Sequence, residues 1–255
     1  MLGKFCNLFD GYKYLLLSFF SVVLFMLVVV YFNDIFTREL NVCDSNSMEI
    51  VFDLTNQDRK SLMYNLIDEN DGICFVGDSI TEGTVNGNHP WYEELISLFE
   101  DKKVFNYSVG GYMTTDIISE YEDELVNSNC NLVVINIGTN DVRYLERSGK
   151  DYIRNIKNIL EFVRDRKIIL LSPWKTTDKD KFMKSNKERK IDIFDDYDDE
   201  LKKLANEKDN VYYIEANSYI KKMFARYGEE TFSEDGVHPN SDLGVKLYSY
   251  SVMRD

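Results

Sequence analysis

Basic residues are in deficit: 30 lysines and arginines stand against 44 aspartates and glutamates, for a net charge of -14. A chain of this sign lacks the basic face that nucleic acid requires, so no nucleic-acid partner is expected. Cysteine is scarce as well. Only Cys6, Cys43, Cys74 and Cys130 are present, and the last three follow the apolar segment described below. An odd number there excludes a small disulfide scaffold. Histidine is rarer still, so any chemistry that needs an imidazole must use His89 or His238. The acidic run DIFDDYDDE at 192–200 lacks the glycine and the oxygen spacing of a calcium loop. Neither a metal nor an organic cofactor is expected.

Charge is missing altogether from Tyr14 to Phe32, YLLLSFFSVVLFMLVVVYF. As a helix this stretch would reach about 28 Å, close to the hydrocarbon thickness of a bilayer. Bulky Val30, Tyr31 and Phe32 stand where a cleaved signal would carry small residues, which predicts an uncleaved transmembrane anchor at 14–32. Lys4 and Lys13 precede it and Arg38 follows. That bias puts a short N-terminus, 1–13, in the cytoplasm and everything after the anchor outside it, at the cell membrane. Cys6 reads as an ordinary thiol. Residues 33–58 show no clean period and read as a linker, leaving 59–255 as the main domain.

In that domain, short apolar runs alternate with longer amphipathic stretches. The runs are ICFV at 73–76, KVFNY at 103–107, LVVINI at 132–137, IILL at 168–171 and VYYI at 211–214. They lack polar alternation, as strands buried on both faces of a sheet do. Between them, HPWYEELISLFE and DYIRNIKNILEFVRD place apolar residues at helical spacing. Five strands alternating with helices predict a parallel sheet covered on both sides, a three-layer α/β/α domain. Ligands of such sheets bind beyond the carboxyl ends of the strands, so chemistry belongs in the residues that follow each run.

After the first run comes GDSITEG. Ser79, Ile80, Thr81 and Glu82 fit an S-x-x-E capping box, but a serine at a strand-to-helix turn also suits a nucleophile. After the second run comes NYSVGGYMTT, with Gly110 and Gly111, and after the third GTND at 138–141. Near the C-terminus DGVHPN sets Asp235 three residues before His238. These are the parts of a serine esterase. His238 would take the proton of Ser79, and Asp235 would orient the imidazole and stabilise its charged form. The backbone N–H groups of Ser79 and Gly111 and the side-chain amide of Asn140 would form the oxyanion hole.

The four blocks GDSIT, NYSVGG, GTND and DGVHP, in this order from about residue 73 to the end, resemble those of the SGNH hydrolases, or GDSL-type esterases and acyltransferases. The resemblance implies a flavodoxin-like sheet, with Ser79, His238 and Asp235 as the triad and Ser79, Gly111 and Asn140 as the oxyanion donors. Ile80 stands where the name-giving motif has leucine, a near-isosteric exchange.

Other residues receive plainer readings. Asp78 and Asp141 are expected to hold loops by hydrogen bonds to backbone N–H groups. His89 has no Asp-x-x-His partner and reads as a loop histidine. The acidic run is the solvated face of a helix whose apolar side is Ile191, Phe194, Leu201 and Leu204. Lys175, Lys179, Lys181, Lys184, Lys187, Arg189 and Lys190 follow the fourth run, either as a patch that attracts an anionic polymer or as a solvated loop. Cys74 and Cys130 begin neighbouring runs if the strand order is 2-1-3-4-5. Two thiols are expected there, because a crosslink between adjacent strands is geometrically demanding.

The function expected from the chain is a membrane-anchored, extracytoplasmic serine esterase acting on acyl esters of envelope carbohydrate. A sugar O-acetyltransferase using the same residues, and a non-catalytic glycan-binding or tethering module, are the alternatives.

Overall fold

The computed structural model describes residues 57–87 and 89–254, together with Ile50, Phe52 and Thr55. The predicted anchor, the residues before it, Cys6, Cys43 and most of the linker lie outside the described residues. Among the described residues no helix is long and apolar enough to cross a membrane.

Each predicted run forms a strand: β1 Gly72–Gly77, β2 Lys103–Ser108, β3 Leu132–Asn136, β4 Lys167–Leu171 and β5 Val211–Ile214. All neighbours are parallel, in the order β2-β1-β3-β4-β5. Parallel pairing requires crossovers, and the helices supply them on both faces. β1 and β3 are buried throughout, as expected. β2 departs from the expectation: Lys103 and Asn106 are exposed, because among the described strands this one lies at the sheet's edge, paired with β1.

Alternation along β1 distributes its side chains between two cores. Cys74 and Val76 join the cluster formed with helices Thr114–Glu120, Gly149–Phe162 and Lys187–Asn206. There Tyr152 and Tyr197 stack with centroids 3.7 Å apart. Phe75 points the other way, stacks on Tyr92 at 3.9 Å and meets Trp91 edge-on. Trp91 in turn packs on Tyr248 of helix Leu243–Ser251. Burying each such side chain contributes roughly 1.5–3 kcal/mol, and an aromatic pair about 0.5–1.5 kcal/mol more.

Local signals set the helix limits. Ser148 caps Gly149–Phe162 by accepting the Asp151 N–H at 3.3 Å, and Tyr152, Ile153, Ile156, Ile159 and Leu160 then line its buried face. The acidic run lies in helix Lys187–Asn206, with Ile193, Phe194, Tyr197, Leu201 and Leu204 inward and Asp192, Asp195, Asp196 and Asp199 outward. Ile191 is only half-buried.

The expectation of two thiols at Cys74 and Cys130 is corrected. They form a disulfide with Cα atoms 5.6 Å apart, inside the ordinary range. Cys130 precedes β3, and the β3 partner of Cys74 is Val133. The bond therefore joins β1 to the incoming loop instead of bridging two paired strand residues, and the objection from strand geometry does not apply.

Candidate active site

β1 ends at Gly77, and the chain turns directly into the short helix Ser79–Glu82. Asp78 caps that helix, its Oδ1 accepting the Ile80 N–H at 3.1 Å. The cap is therefore one residue earlier than the S-x-x-E reading puts it, which leaves the Ser79 hydroxyl free. Glu82 does not reach back to the helix start; its Oε2 accepts the Gly110 N–H at 2.6 Å.

Ser79 Oγ lies 2.9 Å from His238 Nε2, and His238 Nδ1 lies 2.6 Å from Asp235 Oδ2. The other oxygen of Asp235 accepts the backbone N–H groups of Val237 at 2.7 Å and His238 at 2.8 Å. The Asp-x-x-His spacing is thus a turn closed by its own aspartate. An ionised carboxylate only accepts, so Nδ1 carries the proton and Nε2 presents its lone pair to the serine hydroxyl.

Two aspartates beside this pair are driven in opposite directions. Partial burial would raise the Asp235 carboxyl, but the hydrogen bonds from the His238 ring and from the His238 and Val237 backbone outweigh it and hold the group well below the ordinary carboxylate range. Asp78 is fully buried, and desolvation pushes its carboxyl up to about 7 against the opposing Ile80 hydrogen bond and the His238 and Arg143 charges. Its Oδ2 has no hydrogen-bond partner among the described residues.

The segment after β2 lies against the serine: a Cβ built on Gly110 would stand 3.7 Å from that of Ser79. Glu82 already holds the Gly110 N–H, whereas the Gly111 N–H has no partner among the described residues. Gly111 has φ +83°, a left-handed conformation that favours glycine, and open space where a side chain would be. Next to it, the Tyr112 carbonyl accepts Asn140 Nδ2 at 3.0 Å, which brings Asn140 to the same edge. Asp141 is buried and accepts both the N–H of Thr114 at 3.0 Å and its hydroxyl at 2.6 Å, tying the loops after β2 and β3 together. Desolvation raises its carboxyl, opposed by these bonds and by Arg147.

The remaining candidates separate from this cluster. His89 is exposed, with its ring 3.6 Å from Glu93. The lysine-rich segment is partly neutralised within the fold. Lys175 pairs with Asp195 and Asp198, Lys187 with Asp178 and Arg189 with Glu146, while Lys190 is buried and donates to the carbonyls of Arg143 and Phe182. Lys179, Lys181 and Lys184 are exposed, with no acidic partner among the described residues. Sequence reasoning missed the Glu82–Gly110 bond and the pair formed by Arg143 and Asp180. Arg143, one helical turn after Asn140, was a usable signal. Asp180, 37 residues further on, offered none.

The GDSL-like lipase/acylhydrolase family model matches residues 75–242. The chain belongs to this family. It is a serine ester hydrolase, and its four motif blocks are those by which the SGNH members are known. Among solved structures it is similar to a lipolytic protein of the G-D-S-L family from Veillonella parvula, at 22% identity over 72% of this chain and 96% of the other, with a TM-score of 0.57. It is also similar to an acetylxylan esterase from Geobacillus stearothermophilus, at 20% identity over 72% and 93%, with a TM-score of 0.56. At these identities the likeness establishes the fold. No curated protein matches the sequence.

Proposed function

We propose that Ser79 is the nucleophile of this esterase, with His238 as its base and Asp235 as the group that orients His238. The observation that carries the proposal is the continuous chain from Ser79 Oγ to His238 Nε2 at 2.9 Å and from His238 Nδ1 to Asp235 Oδ2 at 2.6 Å. As Ser79 attacks an acyl carbonyl, its proton passes to Nε2, and the imidazolium is stabilised by the carboxylate. The N–H groups of Ser79 and Gly111 and the Asn140 amide receive the developing oxyanion. The alcohol leaves with the proton from His238, and water then releases the acid from the acyl-enzyme.

The substrate we propose is an acetylated carbohydrate of the cell envelope, met outside the cytoplasmic membrane by a chain anchored through residues 14–32. The charge-free run and the weak basic bias before it support the anchor. The Cys74–Cys130 disulfide supports an oxidising compartment. The acetylxylan ester named for a structural neighbour supports the substrate class.

The test uses the full chain in detergent, with Ser79→Ala as control, on 4-nitrophenyl acetate with and without oligosaccharides. Free acetate and acetylated sugar are both measured. Serine-dependent acetate release that is indifferent to the sugar is expected. Acetylated sugar formed at the expense of acetate would make the protein a transferase, and turnover unaffected by Ser79→Ala would refute the assignment.

A further inference from the structure

Asn140 is useful as an oxyanion donor only if its nitrogen, and not its oxygen, faces the substrate. The two ends of the amide have nearly the same shape, so the fold must choose between them through hydrogen bonds. One bond is the acceptor at Tyr112 already described. The other comes from Arg143, which lies three residues along helix Thr139–Leu145 and so on the same face. Arg143 Nη1 donates to Asn140 Oδ1 at 3.3 Å. A guanidinium can only donate, so the oxygen is drawn to it and Nδ2 is turned away.

Arg143 is itself held on several sides. Nε donates to Asp180 Oδ2 at 2.8 Å and Nη2 to Asp180 Oδ1 at 3.4 Å, and both side chains are nearly buried. Nη1 also reaches the Tyr144 hydroxyl at 3.3 Å. Asp180 is fixed in turn, because its Oδ1 caps helix Lys181–Ser185 through the Phe182 N–H at 3.0 Å. The same loop docks on the turn that carries His238. Thr177 N–H donates to the Gly236 carbonyl at 2.7 Å, and a Cβ on Gly236 would meet the Asp180 nitrogen at 2.6 Å.

We infer that Arg143 is a positioning residue for this reaction: anchored by Asp180, it locks the Asn140 amide with Nδ2 toward the oxyanion and ties that donor to the loop against the His238 turn. The inference rests on the proposed oxyanion role of Asn140. Its effect is confined to the transition state, because the oxyanion does not exist in the bound ester.

The test is a double-mutant cycle on the full chain, with 4-nitrophenyl acetate hydrolysis resolved into kcat and KM. Arg143→Lys keeps a cation beside Asp180, but a compact ammonium cannot also hold Asn140. A second variant, Arg143→Gln with Asp180→Asn, removes both buried charges together and so leaves neither unpaired. Asn140→Ala is expected to lower kcat about 10²- to 10³-fold, as loss of one oxyanion donor does. Either Arg143 variant is expected to lower kcat roughly 10- to 100-fold with KM nearly unchanged, the scale of a misplaced group. Placed on Asn140→Ala, neither should cost anything further. Losses that multiply on that background, or a change carried by KM, would overturn the positioning role while leaving Asn140 as a donor. Unchanged kcat in Asn140→Ala itself would overturn both.

Discussion

Asp78 and Asp235 flank the same serine–histidine pair and make opposite use of a carboxylate. Asp235 is half-exposed, with hydrogen bonds on both oxygens, and is held ionised. Asp78 is buried, with Oδ1 on the Ile80 N–H and no partner for Oδ2 among the described residues, and its burial pushes it up to about 7. The number of donors aimed at a carboxylate, set against its desolvation, decides its charge state. Proximity to the same histidine does not.

The strongest way to break this comparison is to remove the acceptor character of Asp235. In Asp235→Asn the new amide donates to Nδ1, the proton moves to Nε2, and His238 can no longer accept from Ser79. A fall in kcat of roughly 10³- to 10⁴-fold is expected in ester hydrolysis, with correspondingly slow fluorophosphonate labelling. Residual activity near that of the unaltered protein would mean that Asp235 does not set the tautomer.

Reduction or double replacement of Cys74 and Cys130 provides a control remote from both aspartates. A crosslink closing a loop of this length, 56 residues in sequence separation, is expected to contribute about 2–4 kcal/mol. Denaturant unfolding should show that loss equally at pH 5 and pH 8.

Asp78 should behave differently, through the pH dependence of stability. Its folded value is about 7 against an ordinary 3.8. Between those limits the folded protein keeps a proton that the unfolded chain releases, so this group's contribution to stability declines as pH rises, by at most about 1.4 kcal/mol per pH unit. Asp78→Asn should flatten that part of the profile in melts from pH 4 to pH 8. An unchanged slope would remove Asp78 from the comparison. The smallest effect is expected at His89, exposed beside Glu93. His89→Ala should change kcat/KM by less than about twofold, since exposed surface replacements seldom matter more.

Legibility in the sequence followed the range of the interactions. The five runs and the helix Gly149–Phe162 were readable because apolar period acts within a few residues. The Asp-x-x-His turn was readable for the same reason, since its bonds span at most three residues. The 2-1-3-4-5 order considered for the sheet already places β2 at an edge, and that order is found, but the exposure along β2 was not read from its run, because its residues resemble those of a central strand. The basic segment was only partly legible: its charges look contiguous in the chain, but Lys175, Lys187 and Arg189 are paired with acids and Lys190 is buried on backbone carbonyls, which leaves Lys179, Lys181 and Lys184 exposed.

The sequence by itself determined the alternation of strand and helix, the positions of the first three motif blocks at the ends of strands and the identity of the only two imidazoles. Tertiary structure alone decided that Ser79 meets His238 across 159 residues, that Asp78 caps the helix in place of Ser79, that Cys74 and Cys130 bond, and that Arg143 is clasped by Asp180. The physical reason is that backbone preference and apolar period are local properties of a chain. A hydrogen bond between distant residues, and the burial that sets a carboxylate's charge, exist only once the sheet has brought its carboxyl edge together.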